Sequence, residues 1–395
     1  MTSNTTVFPF KTGFLDNLSF NQSDLPLGNS EIIKFDKQLF DYEQHFINLD
    51  LERHLIAKNQ FLASYAISKA ENSSLTVQEA QNLFTIAFDG EDLKTTKNLT
   101  QKDYDKKEFL NIVRAFRLLS QNHVLINNLS IESICQSHAQ LCEGLDDFST
   151  VLPDFTKYLP GKLRKNDNIR VGNYVPAPYQ IIPNGILELI DYLKKNPTPI
   201  GVANFHTALY ALHPFNNGNK RVCRILEHFL LRDIGLNAKN LYGTSYYYHS
   251  EKPRYYKFLL HSLERKNLNY FTSFVLEALF YSIATVVKTG LIARKQEWLK
   301  SQNLSKIEVA LLSPLTKRKE TQFKWLYDKA KTKVSKQTFV NYLKKSTDLD
   351  VVQKREIGKL TFYKLNYNFK EQILLDEWEQ LAKKRLHYIP NILFS

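Results

Sequence analysis

The chain has 395 residues, 43% of them hydrophobic and 24% charged, proportions that exclude wholesale disorder and collagen-like or low-complexity architecture. At about 150 residues per domain its length predicts two or three domains. Its 53 Lys and Arg exceed its 40 Asp and Glu for a net charge of +13, which points to phosphates, nucleic acid or acidic surfaces as partners and says little about fold.

Residues 1 to 30, rich in Asn, Ser, Thr and Pro, carry no sustained periodicity and are read as an extended arm. No basic segment leads into an apolar stretch there, so no signal peptide is expected. From about Ser30 to Gln60, the positions Ile33, Phe40, Phe46, Leu49, Leu51 and Leu55 recur at loosely helical spacing. A helical segment Phe61–Lys69 follows. Thr76 is placed as an N-cap, with Glu79 three residues on completing a capping box, for a helix reaching about Phe88. Two more helical patterns fill residues 107–145. Residues 158–183, punctuated by Pro160, Gly161, Gly172, Pro176, Pro178 and Pro183, read as loop and hairpin.

Helices are expected at Asn184–Lys195, at Pro199–Leu212, from about Gly218 to Asp233, and onward to about Leu299. The most apolar window, Ala278–Val287, is far short of the ~20 residues needed to span a bilayer and is read as a buried helix. No membrane partner is expected. Cys135, Cys142 and Cys223 contain no CxxC pair and read as reduced thiols of a cytoplasmic protein.

The tail differs in charge. Between Ser301 and Lys370 lie 16 Lys or Arg against 6 Asp or Glu, so most of the net charge sits in one stretch and marks a separate module. Helices are expected at Leu304–Leu312 and Glu320–Lys331, and a third, capped by Ser335, through Lys345. VVQKR, EIGK and LTFYKL then read as strand, turn and strand, with Gly358 at the turn. That is the order of a winged helix-turn-helix. Lys336, Lys344 and Lys345 on its presumed recognition helix would be phosphate contacts to DNA.

The chemistry concentrates in His213-Pro214-Phe215-Asn216-Asn217-Gly218-Asn219-Lys220-Arg221-Val222-Cys223-Arg224. Pro214 stops one helix, and Gly218 and Asn219 open the next, whose free N–H groups and positive dipole end favour an anion. Arg221 and Arg224, three apart, share a helix face and can reach one polyphosphate. A His beside such a cradle can take the proton from an attacking hydroxyl. The other nine His show no HExxH spacing, so no zinc site is expected, and His206 is read as packing.

This segment resembles the signature HxFx(D/E)GNGRxxR of the Fic (Fic/Doc) family, whose members mostly transfer AMP from ATP to a protein hydroxyl. The resemblance extends over roughly Ser64–Leu279. It implies a mainly α fold: a Fic-type helical core with a small β-hairpin flap, joined to the C-terminal winged helix-turn-helix domain. The expected divisions are residues 1–105 as an N-terminal helical region holding an inhibitory helix at about 61–72, 106–300 as the Fic core, 301–370 as the winged helix, and 371–395 as a C-terminal helix and tail.

By the same resemblance His213 matches the general base and Phe215 the buried loop anchor. Gly218, Asn219, Lys220, Arg221 and Arg224 match the ATP phosphate cradle, with the Asn219 side chain on a phosphate. The flap (Ile169, Arg170, Val171, Gly172, Asn173) would align a target segment by main-chain pairing, and Tyr246, Tyr247 and Tyr248 are candidates to flank the adenine. Asn217 stands where the family holds Mg²⁺ with Asp or Glu, and its neutral amide oxygen is a weaker ligand. Ile67-Ser68-Lys69-Ala70-Glu71-Asn72 resembles the family's inhibitory motif (S/T)xxxE(G/N), with Ile67 in the first place. Glu71 is expected to pair with Arg224.

The implied activity is a protein adenylyltransferase using ATP and Mg²⁺ on a target protein, the chain itself included, restrained by Glu71. Lys220, as in the Doc branch, raises phosphoryl transfer as the alternative. A nucleotide-sensing DNA-binding regulator with a weak Fic core is the third reading.

Overall fold

The computed structural model describes residues 6–46, 49–89, 99–122, 126–153, 155–390 and 393. The first five residues of the expected arm and residues 391, 392, 394 and 395 of the expected tail lie outside them. The fold is mainly helical and divides into two compact units, one of Met1–Lys37 with Leu49–Ser282 and one of Gln38–Asn48 with Ile283–Ser395. The boundary expected at 300/301 falls in the last turn of a helix that runs to Ser301, and the one at 105/106 falls inside another.

In chain order the helices up to Ser301 are α1 (Asn29–Phe46), α2 (Leu49–Ala70), α3 (Val77–Asp89), α4 (Gln101–Asn122), α5 (Ile131–Cys142), α6 (Ile182–Lys195), α7 (Pro199–Leu212), α8 (Asn219–Asp233), α9 (Thr244–Ser250), α10 (Lys252–Glu264) and α11 (Asn269–Ser301). Local chemistry sets several of their ends. Thr76 and Glu79 exchange the hydrogen bonds of a capping box at α3. Thr198 accepts from the Gly201 N–H at 3.0 Å to start α7. Every residue of α7 is buried, its polar Asn204 and His206 included, and α6 and α8 pack against it. It is therefore a fixed central post, and its C-terminal end is where the candidate site begins.

Two stretches differ from their sequence reading. The N-terminal arm is packed into the first unit: Phe10, Leu15, Leu18, Phe20, Leu25 and Leu27 are buried, and Glu188 accepts from the backbone of Lys11 and Thr12. Scattered apolar residues without a period give no local signal of this. The stretch expected to be a hairpin flap has no ladder, only one antiparallel bridge between Val171 and Tyr174 around Gly172.

Ala278–Val287 lies in α11, a helix long and apolar enough to cross a membrane by length and composition, but 72% of that helix's most apolar 18-residue window is buried within the protein. Packing against the fold accounts for its apolar character.

The second unit contains α12 (Lys306–Leu312), β1 (Thr321–Gln322), α13 (Phe323–Ala330), α14 (Lys336–Asp348), β2 (Val352–Ile357), β3 (Leu360–Leu365) and α15 (Lys370–Arg385). The sheet is antiparallel in the order β1-β3-β2, with Val352 opposite Leu365 and Ile357 opposite Leu360. Leu311, Leu326, Phe339, Leu343, Val352 and Leu365 fill its core. Ser305 and Ser335 cap α12 and α14. The sequence pattern places Thr321 and Gln322 in a helix. Two residues are too few to display a period, and only their pairing with Tyr363 and Phe362 makes them a strand.

Candidate active site

The site is built where α7 ends and α8 begins. His213 terminates α7 in the left-handed region (φ 51°, ψ 62°), a conformation that costs a residue with a Cβ roughly 1–2 kcal/mol. Arg164 holds it there. Its buried guanidinium donates from Nε to the His213 carbonyl at 2.7 Å, and from Nη2 to the carbonyls of Leu212 and Ala177. The Arg164 N–H donates to the Pro214 carbonyl at 2.9 Å. One side chain thus ties the base of the flap to the end of the central helix.

Burial first, and then the charges of Arg164 and Lys220, push the His213 imidazole down to about 4. It is neutral near pH 7, and its buried Nδ1 has no hydrogen-bond partner among the described residues.

The turn from Pro214 to Gly218 closes on itself. The Asn219 side chain accepts from the Phe215 N–H at 2.9 Å and donates to the Phe215 carbonyl at 2.8 Å. The Asn219 side chain, expected to meet a phosphate, here bridges both backbone groups of Phe215. Gly218 takes φ +80°, a conformation glycine adopts without cost. No side chain caps the start of α8.

His138 secures this turn from α5. Its ring lies flat on Phe215, with centroids 3.8 Å apart and planes 4° apart. Its Nδ1 accepts from the Gly161 N–H at 3.0 Å, and its Nε2–H donates to the Asn217 carbonyl at 3.0 Å. Nothing in the local sequence around His138 signals this role.

Two guanidinium groups project from α8. Arg224 is fully buried against the Tyr255 ring at 4.2 Å and the Tyr248 ring at 5.6 Å. Arg221 is fully buried against the Tyr158 ring at 4.9 Å. Tyr248 therefore supports an Arg, whereas Tyr246 is exposed and the Tyr247 hydroxyl donates to Glu277.

Glu71 reaches the site from the end of α2, but not as expected. Its Oε2 pairs with Lys220 Nζ at 3.1 Å. The Glu71–Arg224 ion pair expected from sequence is not formed, because the aromatic cage turns Arg224 toward the Ala66 carbonyl, 3.5 Å from Nη1. Burial disfavours the Glu71 charge, yet the attraction of Lys220, Arg221 and Arg224 outweighs it and holds the carboxyl below its ordinary value.

The end of α2 is fastened to α10. Tyr256 donates to the Ala70 carbonyl at 3.1 Å, and Lys252 donates to the Lys69 carbonyl and to Asn72 Oδ1. The fields of Glu71 and Lys220 extend to His213, so the cradle, the imidazole and the α2 carboxylate form one electrostatic cluster.

Arg221 carries a partner that sequence reading missed. Glu108 of α4 places Oε1 3.1 Å from Arg221 Nη1, with both side chains 1% exposed. A signal existed: Asp105, Glu108 and Asn111 recur at three-residue spacing on the buried side of α4, where polar residues need a reason.

The flap is exposed or half-exposed at Ile169, Arg170, Val171, Gly172 and Asn173. It is anchored by Asn166 on Asn216 and by Asp167 on the Tyr179 N–H.

Asn217 Oδ1 already accepts from the Gly218 N–H at 2.8 Å. Glu71 and Glu108 each face a cation, and no cluster of three His, Cys, Asp or Glu occurs among the described residues. His206, read as packing, forms a buried pair with Glu227, Nδ1 to Oε2 at 2.6 Å.

Residues 128–231, which stop within the last turn of α8, match the Fic/DOC family. The chain is 35% identical over 82 residues to a probable protein adenylyltransferase of Aquifex aeolicus, covering 20% of this chain and 26% of that protein. It is 23% identical over 220 residues to a protein adenylyltransferase of Caenorhabditis briggsae, covering 53% and 40%. The chain therefore spans between about a quarter and two-fifths of the length of these curated relatives. Among solved structures, a Fic family protein from Desulfovibrio desulfuricans aligns at 15% identity and TM-score 0.47, covering 88% of this chain and 99% of that one.

Proposed function

We propose, from the premise that this chain is a Fic-family protein through residues 128–231, that it is a protein adenylyltransferase transferring AMP from ATP to a hydroxyl side chain of a target protein, held back by Glu71. One observation carries the reading. Arg221 and Arg224 are fully buried, yet Nε and both Nη atoms of Arg221, with Nε and Nη2 of Arg224, have no hydrogen-bond partner among the described residues. Buried charged donors left unpaired cost at least about 1–3 kcal/mol each, and a polyphosphate supplies the missing acceptors. The uncapped start of α8 would add N–H groups to the same ligand.

In this mechanism the target hydroxyl oxygen attacks the α-phosphorus, and the bond to the β-phosphate bridging oxygen breaks so that pyrophosphate leaves. His213 takes the hydroxyl proton. Its neutrality leaves a lone pair available, and the negative charge of a bound polyphosphate would raise its basicity toward the working pH. Arg221, Arg224 and Lys220 stabilise charge on the phosphates. The exposed flap main chain would hold the target segment beside them. With Glu71 on Lys220, one of those cations is already neutralised, and a phosphate must compete with a carboxylate for it.

The test is to incubate the full chain with ATP labelled at the α or the γ phosphate, as wild type and as Glu71→Gly. Covalent α-label on protein, increased in Glu71→Gly, is the expected result. Transfer of γ-label instead would establish the phosphoryl-transfer alternative that Lys220 raises. No label from either variant across a Mg²⁺ titration would leave a nucleotide sensor.

A second activity is proposed for the second unit: as a winged helix-turn-helix in the cytoplasm it would bind DNA. The supporting observations are its order of helix, strand, two helices and hairpin, and Lys336 and Lys344 exposed on α14. Lys345 is also exposed, although it pairs with Glu308 at 2.8 Å. A duplex gel shift that weakens steeply with salt is expected; no shift at low salt refutes it.

A further inference from the structure

Glu108 is the least expected charge in the site. It sits on the buried side of α4, 1% exposed, facing a guanidinium that is itself 1% exposed. A carboxylate whose task is to brace an arginine ordinarily meets it as a fork, through two parallel N–H···O bonds. Here one oxygen approaches one nitrogen, and Nε, Nη1 and Nη2 of Arg221 all stay without a hydrogen bond. The contact neutralises charge and leaves the donors unsatisfied. The Tyr158 ring also lies over Arg221, 4.9 Å from its guanidinium carbon.

We propose that Glu108 sets nucleotide affinity at this site: it occupies a phosphate position on Arg221 and must give it up when a polyphosphate binds. The inference rests on reading the cradle as a polyphosphate site and adds a competitor distinct from Glu71.

Three further features agree. Glu108 has partners to keep when Arg221 turns to a phosphate, since Ser68 Oγ donates to its Oε2 at 3.3 Å and the Tyr104 hydroxyl to its Oε1 at 3.4 Å. Its charge is held reluctantly. Burial outweighs the attraction of Arg221 and, with Glu71 and Asp105 adding repulsion, pushes the carboxyl up to about 7. Finally, Glu71 and Glu108 lie on different cations, Lys220 and Arg221. Removing either one therefore frees only part of the cradle.

The experiment measures ATP binding to the full chain by calorimetry. Glu108→Gln keeps the size and one of the two accepted hydrogen bonds from Ser68 and Tyr104 while removing the charge. Glu108→Asp keeps the charge but withdraws it from Arg221. Each substitution is expected to tighten ATP binding roughly tenfold, because the binding-competent fraction rises, and to do so again in the Glu71→Gly background. Unchanged or weaker binding in both variants would overturn the proposal and make Glu108 a brace for Arg221.

If Glu108→Gln fails to fold, Glu108→Asp decides. Arg221→Ala in the Glu71→Gly background separates the two levels of inference. If Glu71→Gly binds ATP and Arg221→Ala removes that binding, the site is a polyphosphate site, and the Glu108 variants judge this proposal alone. If no variant binds ATP at millimolar concentration, the functional reading and this inference fall together.

Discussion

Replacing His138 with Phe isolates how much of the site depends on one buried imidazole. The substitution keeps an aromatic ring on Phe215, now 3.8 Å away, and deletes two hydrogen bonds. The Gly161 N–H loses its acceptor and the Asn217 carbonyl loses its donor. An unpaired buried group costs about 1–3 kcal/mol. Both backbone groups are only partly buried, so water offsets some of this, and a total of about 2–4 kcal/mol is expected. For a unit of this size that lowers Tm by roughly 4–12 °C.

Function should suffer beyond stability, because the freed Asn217 carbonyl leads directly into Gly218, whose left-handed turn aims the α8 N–H groups. ATP affinity measured at a temperature where the variant is fully folded should fall several-fold. A variant with wild-type Tm and wild-type ATP affinity would refute the assignment of His138 as the residue that positions the turn.

Two other outcomes follow from the buried charges. Burial holds His138, His213 and His228 neutral, each pushed down to about 4 from an ordinary 6.5. The unfolded chain therefore binds more protons between those values, and stability is lost as pH falls through that window. From pH 7 to 5 each His costs about 2 kcal/mol, while Glu108, raised to about 7, returns about 2 kcal/mol over the same range. A net loss of about 4 kcal/mol should appear as a marked fall in Tm at pH 5, and a flat profile would contradict the burial of the three imidazoles. His206→Ala would strand Glu227 with only the hydroxyls of Thr244 and Tyr248. Taking one hydrogen-bond partner from a buried carboxylate costs about 1–3 kcal/mol, readable as a lower urea midpoint; a midpoint within error of wild type would show the contact to be dispensable.

The chain's own order of residues determined whatever is local. Thr76 with Glu79, Thr198 before Pro199, and Ser335 before α14 fix helix starts because a cap involves residues two or three positions apart. Pro214 after His213 and Gly218 before Asn219 fix the break between α7 and α8, and with it the placing of Arg221 and Arg224 on one helix. That much of the candidate site, and the mainly helical fold, was legible without coordinates.

Which charge meets which cation was not. Glu71 faces Lys220 because the rings of Tyr248 and Tyr255, from α9 and α10, hold Arg224 aside. Glu108 meets Arg221, and His138 meets Asn217, because α4 and α5 pack near the start of α8. The arm before Asn29 has no period of its own and is packed because α6 offers Glu188 to its backbone. Electrostatic partners are chosen by distance in space, which depends on how helices pack. Helix ends are chosen by distance along the chain, which the residue order supplies directly.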